Sequence, residues 1–226
     1  MRPEHYSRDI VERCQSLIDQ LGPLVERGLP DDSRFNGPLL TTFLLAVATP
    51  MIVLPIERIF KPLTGNQAVA DDTALDERVV AAVGNVLAPG KSFGEAPFPS
   101  ERWTYVYDYP VFNIADQWPD DLLKELSSPK AAQRAKETEA SRILRDLRNA
   151  LAHGGVTYLD KNGGNTEEPA AMLAFTAARS KDRMPVGLNI VRVPKEDFRT
   201  FLRAWANWLA GSQVSFFLSE DPLLAA

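Results

Sequence analysis

Cysteine and histidine are scarce in this chain of 226 residues, and their scarcity excludes whole classes of site. The single cysteine, Cys14, excludes an internal disulfide framework and any zinc cluster built from several cysteines. The two histidines, His5 and His153, are too few for a histidine-rich metal site. A lone thiol is typical of a reducing compartment, so we expect a cytoplasmic protein.

A long hydrophobic run is also missing. The most apolar stretch extends from Phe43 to Ile56 and is interrupted by Pro50 and Pro55. It is shorter than the roughly 20 residues that a membrane-spanning helix requires, so we expect a kinked core helix and no membrane partner. The N-terminus carries charge from its second residue and has no apolar segment, which predicts that it is not a secretory signal.

The net charge is −5, but the charged residues are unevenly distributed. Residues 1–129 carry 11 Lys and Arg against 19 Asp and Glu, whereas residues 130–203 carry 14 against 9. The acidic total argues against a simple basic nucleic-acid binder, while the basic second half could meet a polyanion. Charge alone leaves open whether these residues contact RNA or only form solvated helix faces.

Hydrophobic periodicity predicts a mainly α-helical fold in a single domain over residues 1–226. The predicted helices cover residues 4–28, 39–60, 75–87, 120–126, 128–155 and 194–209. Two β-prone runs, Met172–Thr176 and Val186–Val193, predict a small β-hairpin within an insertion, residues 156–193, after the fifth of these helices. The aromatic stretch of residues 102–118 fits either a short strand or an ordered loop.

The segment SRILRDLRNALAHGG, residues 141–155, combines an apolar stripe with a polar arc on one predicted helix. The apolar residues follow the i, i+3, i+4 and i+7 spacing of a core-facing stripe, and Gly154-Gly155 supplies a C-terminal stop. At about 100° per residue, the basic and hydrogen-bonding side chains fall on the polar arc. They are Arg142, Arg145, Arg148, Asn149 and His153.

Arginine and histidine are together sufficient to cleave RNA without a metal ion. Histidine can move the proton of the 2′-hydroxyl or of the leaving 5′-oxygen, and arginine can stabilise the pentacoordinate phosphorane. Arg148 and His153 diverge by about 140° on one straight helix, so we expect two copies about a twofold axis to build a composite site. The same residues also fit a solvated helix face whose histidine satisfies the last carbonyl groups.

At these residues the sequence resembles the HEPN superfamily, whose motif is Arg, a polar residue, three variable positions and His near the end of a helix. Residues 148–153, RNALAH, match this pattern without a gap. The resemblance implies an antiparallel helical bundle that dimerises, and a metal-independent endoribonuclease in a toxin–antitoxin or phage-defence setting. It assigns catalysis to Arg148 and His153, with Asn149 orienting the phosphate or the histidine. The neighbouring Arg142 and Arg145 are our candidates for binding the RNA substrate.

The motif leaves cleavage and binding open, because some HEPN members have lost cleavage and only bind RNA, nucleotides or proteins. The alternative function is therefore a non-catalytic HEPN-like module with the same fold. The sequence contains no Walker loop and no G-x-S-x-G elbow, and its cysteine and histidines are too few for a metal site of those residues, so we expect no cofactor and no metal ion. Besides RNA and a second copy of the chain, we expect an antitoxin or other regulatory protein as a partner.

Overall fold

The computed structural model describes most of the chain and divides it into helices and one set of strands. The described residues are 6–28, 39–65, 70, 72–73, 77–166, 170–182 and 184–211. His5, one of the two histidines, lies outside them. In chain order the elements are α1 (Tyr6–Glu26), α2 (Leu40–Pro55), α3 (Lys61–Leu63), α4 (Glu77–Val86), β1 (Thr104–Tyr109), α5 (Asp120–Leu126), α6 (Pro129–Glu137), α7 (Ala140–His153), β2 (Val156–Leu159), β3 (Met172–Lys181), β4 (Met184–Pro194) and α8 (Lys195–Gly211).

The strands form one antiparallel sheet in the order β1-β4-β3-β2. β3 and β4 are a hairpin whose register runs from Met172 opposite Pro194 to Lys181 opposite Met184. β1 pairs with the other edge of β4, and β2 pairs with the other edge of β3. The aromatic stretch after residue 101 is therefore a strand for its first part and a loop beyond Tyr109.

The expectation of a mainly α bundle with a small hairpin insertion is wrong. Helices make up 56% of the structure, but the four-stranded sheet is a full layer of the fold. Leu173 and Phe175 of β3 pack in the main core, whereas Ala174 between them packs in a second core on the opposite face. Because each face of the sheet packs against a core, its strands appear in the sequence as short continuous apolar runs. Such runs do not indicate how many strands pair, so the sequence predicts a hairpin where the structure has four strands.

The apolar helix of the sequence lies in the main core. A π-helical turn, Ile56–Phe60, joins α2 to α3 in one helical run of 24 residues, Leu40–Leu63, which by length and composition could cross a membrane. In the folded chain 44% of its most apolar window is buried. Met51 is fully shielded from solvent, and its carbonyl accepts a hydrogen bond from the Trp205 indole N–H of α8 (2.8 Å). The buried residues of this segment therefore belong to the main core, as the sequence predicts, but the helix is not split at Pro50 or Pro55.

The predicted helix of residues 128–155 is two helices with a break between them. Thr138 has extended backbone angles (φ −68°, ψ 141°), and its carbonyl accepts a hydrogen bond from the Phe93 N–H (2.8 Å). The Ala140 N–H then donates to the Lys91 carbonyl (2.9 Å). These hydrogen bonds to residues 91–93 end α6 and start α7. The motif helix is therefore shorter than the predicted helix of residues 128–155, and its first turn is bonded to a distant segment.

Candidate functional site

The motif helix α7 ends where it meets β3. Gly154 has a left-handed φ of 73°, which glycine adopts without strain, and the Gly155 N–H donates to the Ala150 carbonyl (2.8 Å), the hydrogen bond of a Schellman motif. A Cβ at Gly155 would overlap the carbonyl oxygen of Thr176 on β3. The two glycines therefore stop the helix, as predicted, and seat its last turn directly on the sheet.

The last turn of α7 borders an open cleft of about 470 Å³, which we call the α7–β3 cleft. His153 and Asn149, one helical turn apart, both line it. The loop after β1 contributes Phe112 to the cleft, and β3 contributes Thr176 and Ser180. His153 is exposed to solvent. An exposed imidazole at the wall of a cleft can exchange protons with a bound ligand.

Arg148 makes its contacts with a different neighbour, the π-helical turn after α2. Its guanidinium forms an ion pair with Glu57, and its Nη1 donates to Asn149 Oδ1 (2.6 Å). Lys61 Nζ donates to the second carboxylate oxygen of Glu57 (2.6 Å). The Arg148 and Glu57 side chains are only 19% and 25% exposed, so solvent screens this pair less than an ordinary surface pair.

The structure thus connects the three motif residues without bringing them to one point. Asn149 lies between the other two, since it accepts a hydrogen bond from Arg148 and lines the cleft with His153. Arg148 itself is not among the described residues that line the cleft. Within one protomer, the guanidinium and the imidazole of the motif therefore have different surroundings.

Arg142 and Arg145, the candidates for RNA binding, are exposed on α7. The Arg142 guanidinium lies 5.7 Å from the centroid of the Tyr107 ring, in cation–π geometry. In the part of the chain that the structure covers, neither arginine borders the α7–β3 cleft. Their contact with RNA stays a prediction.

A buried carboxylate on α7, Asp146, is a residue that the sequence reasoning missed. It is 3% exposed and accepts hydrogen bonds from the Tyr105 hydroxyl (2.7 Å) and the Asn189 amide (3.1 Å). Burial raises the pKa of Asp146, and the hydrogen bonds from Tyr105 and Asn189 offset this only in part. The network ties α7 to β1 and β4 and so fixes how the helix presents its polar arc. The one available signal was an acidic residue among the arginines of the motif helix.

We expect Asp146→Ala to lower the free energy of unfolding by about 2–4 kcal/mol, because it leaves the buried Tyr105 hydroxyl and Asn189 amide without their acceptor. Asp146→Asn keeps one acceptor oxygen and removes the buried charge. Since the folded-state pKa of Asp146 is raised, its contribution stabilises the wild type at acidic pH and is lost as the pH rises through that pKa.

Asp146→Asn lacks this loss, so its stability relative to the wild type should improve from about pH 4 to pH 7. Urea unfolding of the three proteins at both pH values measures the two effects. A difference between the wild type and Asp146→Asn that does not change with pH would contradict the assignment of a raised pKa.

Other groups that could carry chemistry are placed in structural roles. Cys14 is buried in the main core, and burial raises the pKa of its thiol, so it packs as a small core residue and is not an activated nucleophile. Among the described residues, no group of three or more His, Cys, Asp and Glu side chains is arranged to hold a metal ion.

A known protein family covers nearly the whole chain. The family profile described as HEPN pEK499 p136 matches residues 1–215. The chain belongs to the HEPN family. The resemblance that rested on residues 148–153 is therefore confirmed over the length of the chain. No curated protein and no solved structure matches the chain significantly.

Membership of the HEPN family narrows the function of the site. HEPN domains are often ribonucleases and often act as dimers on RNA, so the family supports a nuclease or RNA-binding module. HEPN domains are helical, and this HEPN chain combines its helices with a sheet that packs on the motif helix. Residues of the sheet form the far wall of the cleft beside His153. Asn189 of the sheet also donates a hydrogen bond to Asp146 on the motif helix.

Proposed function

We propose that this HEPN chain is a metal-independent endoribonuclease of a cytoplasmic toxin–antitoxin or phage-defence system. The observation that carries the proposal is the position of His153, exposed on a cleft and one turn from Asn149, whose carboxamide contacts Arg148. A proton-transfer group and a cationic group therefore lie on the same helix end, linked through a hydrogen-bonding side chain.

Cleavage would begin with attack of a ribose 2′-hydroxyl on the adjacent phosphorus. The His153 imidazole takes the 2′-hydroxyl proton and, as imidazolium, gives a proton to the 5′-oxygen as the P–O5′ bond breaks. Arg148 stabilises the charge that accumulates on the phosphorane oxygens, and Asn149 orients the phosphate or the histidine. The products are a 2′,3′-cyclic phosphate and a 5′-hydroxyl end.

Two protomers are needed for this reaction in our proposal. Arg148 pairs with Glu57 and His153 lines the cleft, so in our proposal the two groups that meet at one phosphate come from different chains. A homodimer whose α7 helices meet across a twofold axis would supply two imidazoles and two guanidiniums to a shared site. The exposed Arg142 and Arg145 would then extend the positive charge along the RNA backbone.

Purified protein tests the proposal directly. It should cleave single-stranded RNA in the presence of EDTA, leave DNA of the same sequence intact, and yield fragments with 2′,3′-cyclic phosphate ends that mass spectrometry identifies. RNA binding that weakens steeply with salt, without cleavage, would instead identify the non-catalytic HEPN module.

A further inference from the structure

The α7–β3 cleft has the size and the mixed lining that a nucleobase requires. Its volume of about 470 Å³ lies within the range of roughly 300–1,000 Å³ that is typical of small-ligand sites. Ile114 and Leu188 contribute apolar surface, whereas Asn113 and Ser180 contribute polar groups. A nucleobase needs both kinds of contact, because it has an apolar face and a hydrogen-bonding edge.

Thr176 is a polar residue of this cleft whose side chain lacks a partner. It is 7% exposed, and its Oγ1, itself shielded from solvent, has no hydrogen-bond partner among the described residues. The residue lines the cleft, so a ligand there would reach Oγ1 once the side chain rotates toward it. Its backbone is fixed, since the Thr176 N–H donates to the Gly155 carbonyl (2.7 Å). Native proteins leave few buried hydroxyl groups unsatisfied. A ligand edge that reaches Oγ1 would satisfy it, because a hydroxyl can both donate and accept.

Phe112 provides an aromatic wall that is already positioned. Its ring makes T-shaped contacts with Tyr109 and Trp118, each with ring centroids 5.8 Å apart. Trp118 is buried, and its indole N–H donates to the Ile114 carbonyl (3.2 Å). Stacking on an aromatic ring tolerates all four bases, so Phe112 would contribute affinity, while the fixed position of Thr176 would favour a base whose edge places a donor or acceptor within its reach.

We propose that the α7–β3 cleft is a base subsite, which takes one unpaired nucleobase of a single-stranded RNA beside the reacting phosphate. The base stacks on Phe112, its edge forms a hydrogen bond with Thr176 Oγ1, and its ribose lies toward His153. A paired base cannot enter, because its edge and faces are occupied within the duplex. This inference rests on the proposed function only for the reacting phosphate, and base binding can be measured separately.

Equilibrium binding to His153→Ala protein tests the subsite without consuming the RNA. The probes are fluorescein-labelled tetranucleotides of A, C, G or U. We expect one base to bind about tenfold more tightly than the weakest, and Thr176→Val to abolish that preference by removing the hydrogen bond. Phe112→Leu should weaken all four probes by about tenfold, because stacking is lost whichever base is bound.

Thr104→Val is the matched control for the loss of a hydroxyl. Thr104, on β1, also has a buried Oγ1 without a partner in the described part of the chain, but it does not line the cleft. The Thr104→Val protein should show the same base preference as the parent protein. Thr176→Ser keeps the hydroxyl group, so it should also retain the preference. Equal binding of the four bases, or a preference that survives Thr176→Val, would overturn the subsite.

The proposed function can fail independently of the subsite. A wild-type protein that shows the Thr176-dependent base preference but never cleaves RNA would support the subsite and reject the ribonuclease. Should Thr176→Val not fold, the Phe112→Leu measurement still decides, because binding that is unaffected by the loss of the aromatic ring overturns the proposal.

Discussion

We expect His153→Ala to lower the rate of the proposed RNA cleavage by about 10²–10⁴-fold, the usual contribution of general acid–base catalysis. The side chain is exposed, so its truncation removes no core contact and the melting temperature should not change measurably. Single-turnover cleavage of a labelled RNA in EDTA, together with thermal unfolding, separates a loss of chemistry from a loss of fold.

Ala152→Ser is the control for His153→Ala, since Ala152 is exposed on the same turn of α7. It should cleave at the wild-type rate. In cells, expression of the wild type should arrest growth and His153→Ala should relieve the arrest. Cleavage that persists in His153→Ala would reject this residue as the proton-transfer group.

An equal mixture of Arg148→Ala and His153→Ala proteins should regain cleavage that each protein alone has largely lost. The heterodimer keeps one arginine and one histidine, on different protomers, so a shared site built from both chains retains one working pair. Random exchange makes about half of the dimers heterodimers, so the mixture should recover a measurable fraction of the wild-type rate. Co-expression with two different affinity tags isolates these heterodimers for the assay.

The double variant Arg148→Ala/His153→Ala, paired with His153→Ala, is the control for this mixture. This dimer also combines two different variants, but neither subunit has His153, so it should not regain cleavage. Heterodimers of the two single variants that form but do not cleave would show that each site draws both groups from one chain. The composite arrangement would then be rejected, while catalysis by the two residues would stand.

The features that sequence predicts well here are those with local causes. Ser128 accepts a hydrogen bond from the Ala131 N–H (3.2 Å) at the start of α6, as expected of an N-cap. Gly154 and Gly155 stop the motif helix. In each case the residue acts on backbone groups within a few positions of itself, so one sequence contains the whole cause.

The features that sequence misses depend on distant segments. The break at Thr138 comes from hydrogen bonds with residues 91–93, and the partners of Asp146 come from β1 and β4. Likewise, Glu57 follows an apolar run that gives no sign of an arginine nearby. One wall of the cleft beside His153 comes from the sheet, of which the sequence predicts only a small hairpin. The chemical roles of the motif residues stay predictions.

Any anion that binds Arg148 must compete with the carboxylate of Glu57. The guanidinium already carries a counter-charge in the free chain, so a phosphodiester competes with Glu57 for it and takes its place when the exchange is complete. Lys61 stays beside the released carboxylate and lowers the cost of that exchange. A small ion such as chloride gains little from the swap, whereas a polyanion held at several points along its backbone can complete it.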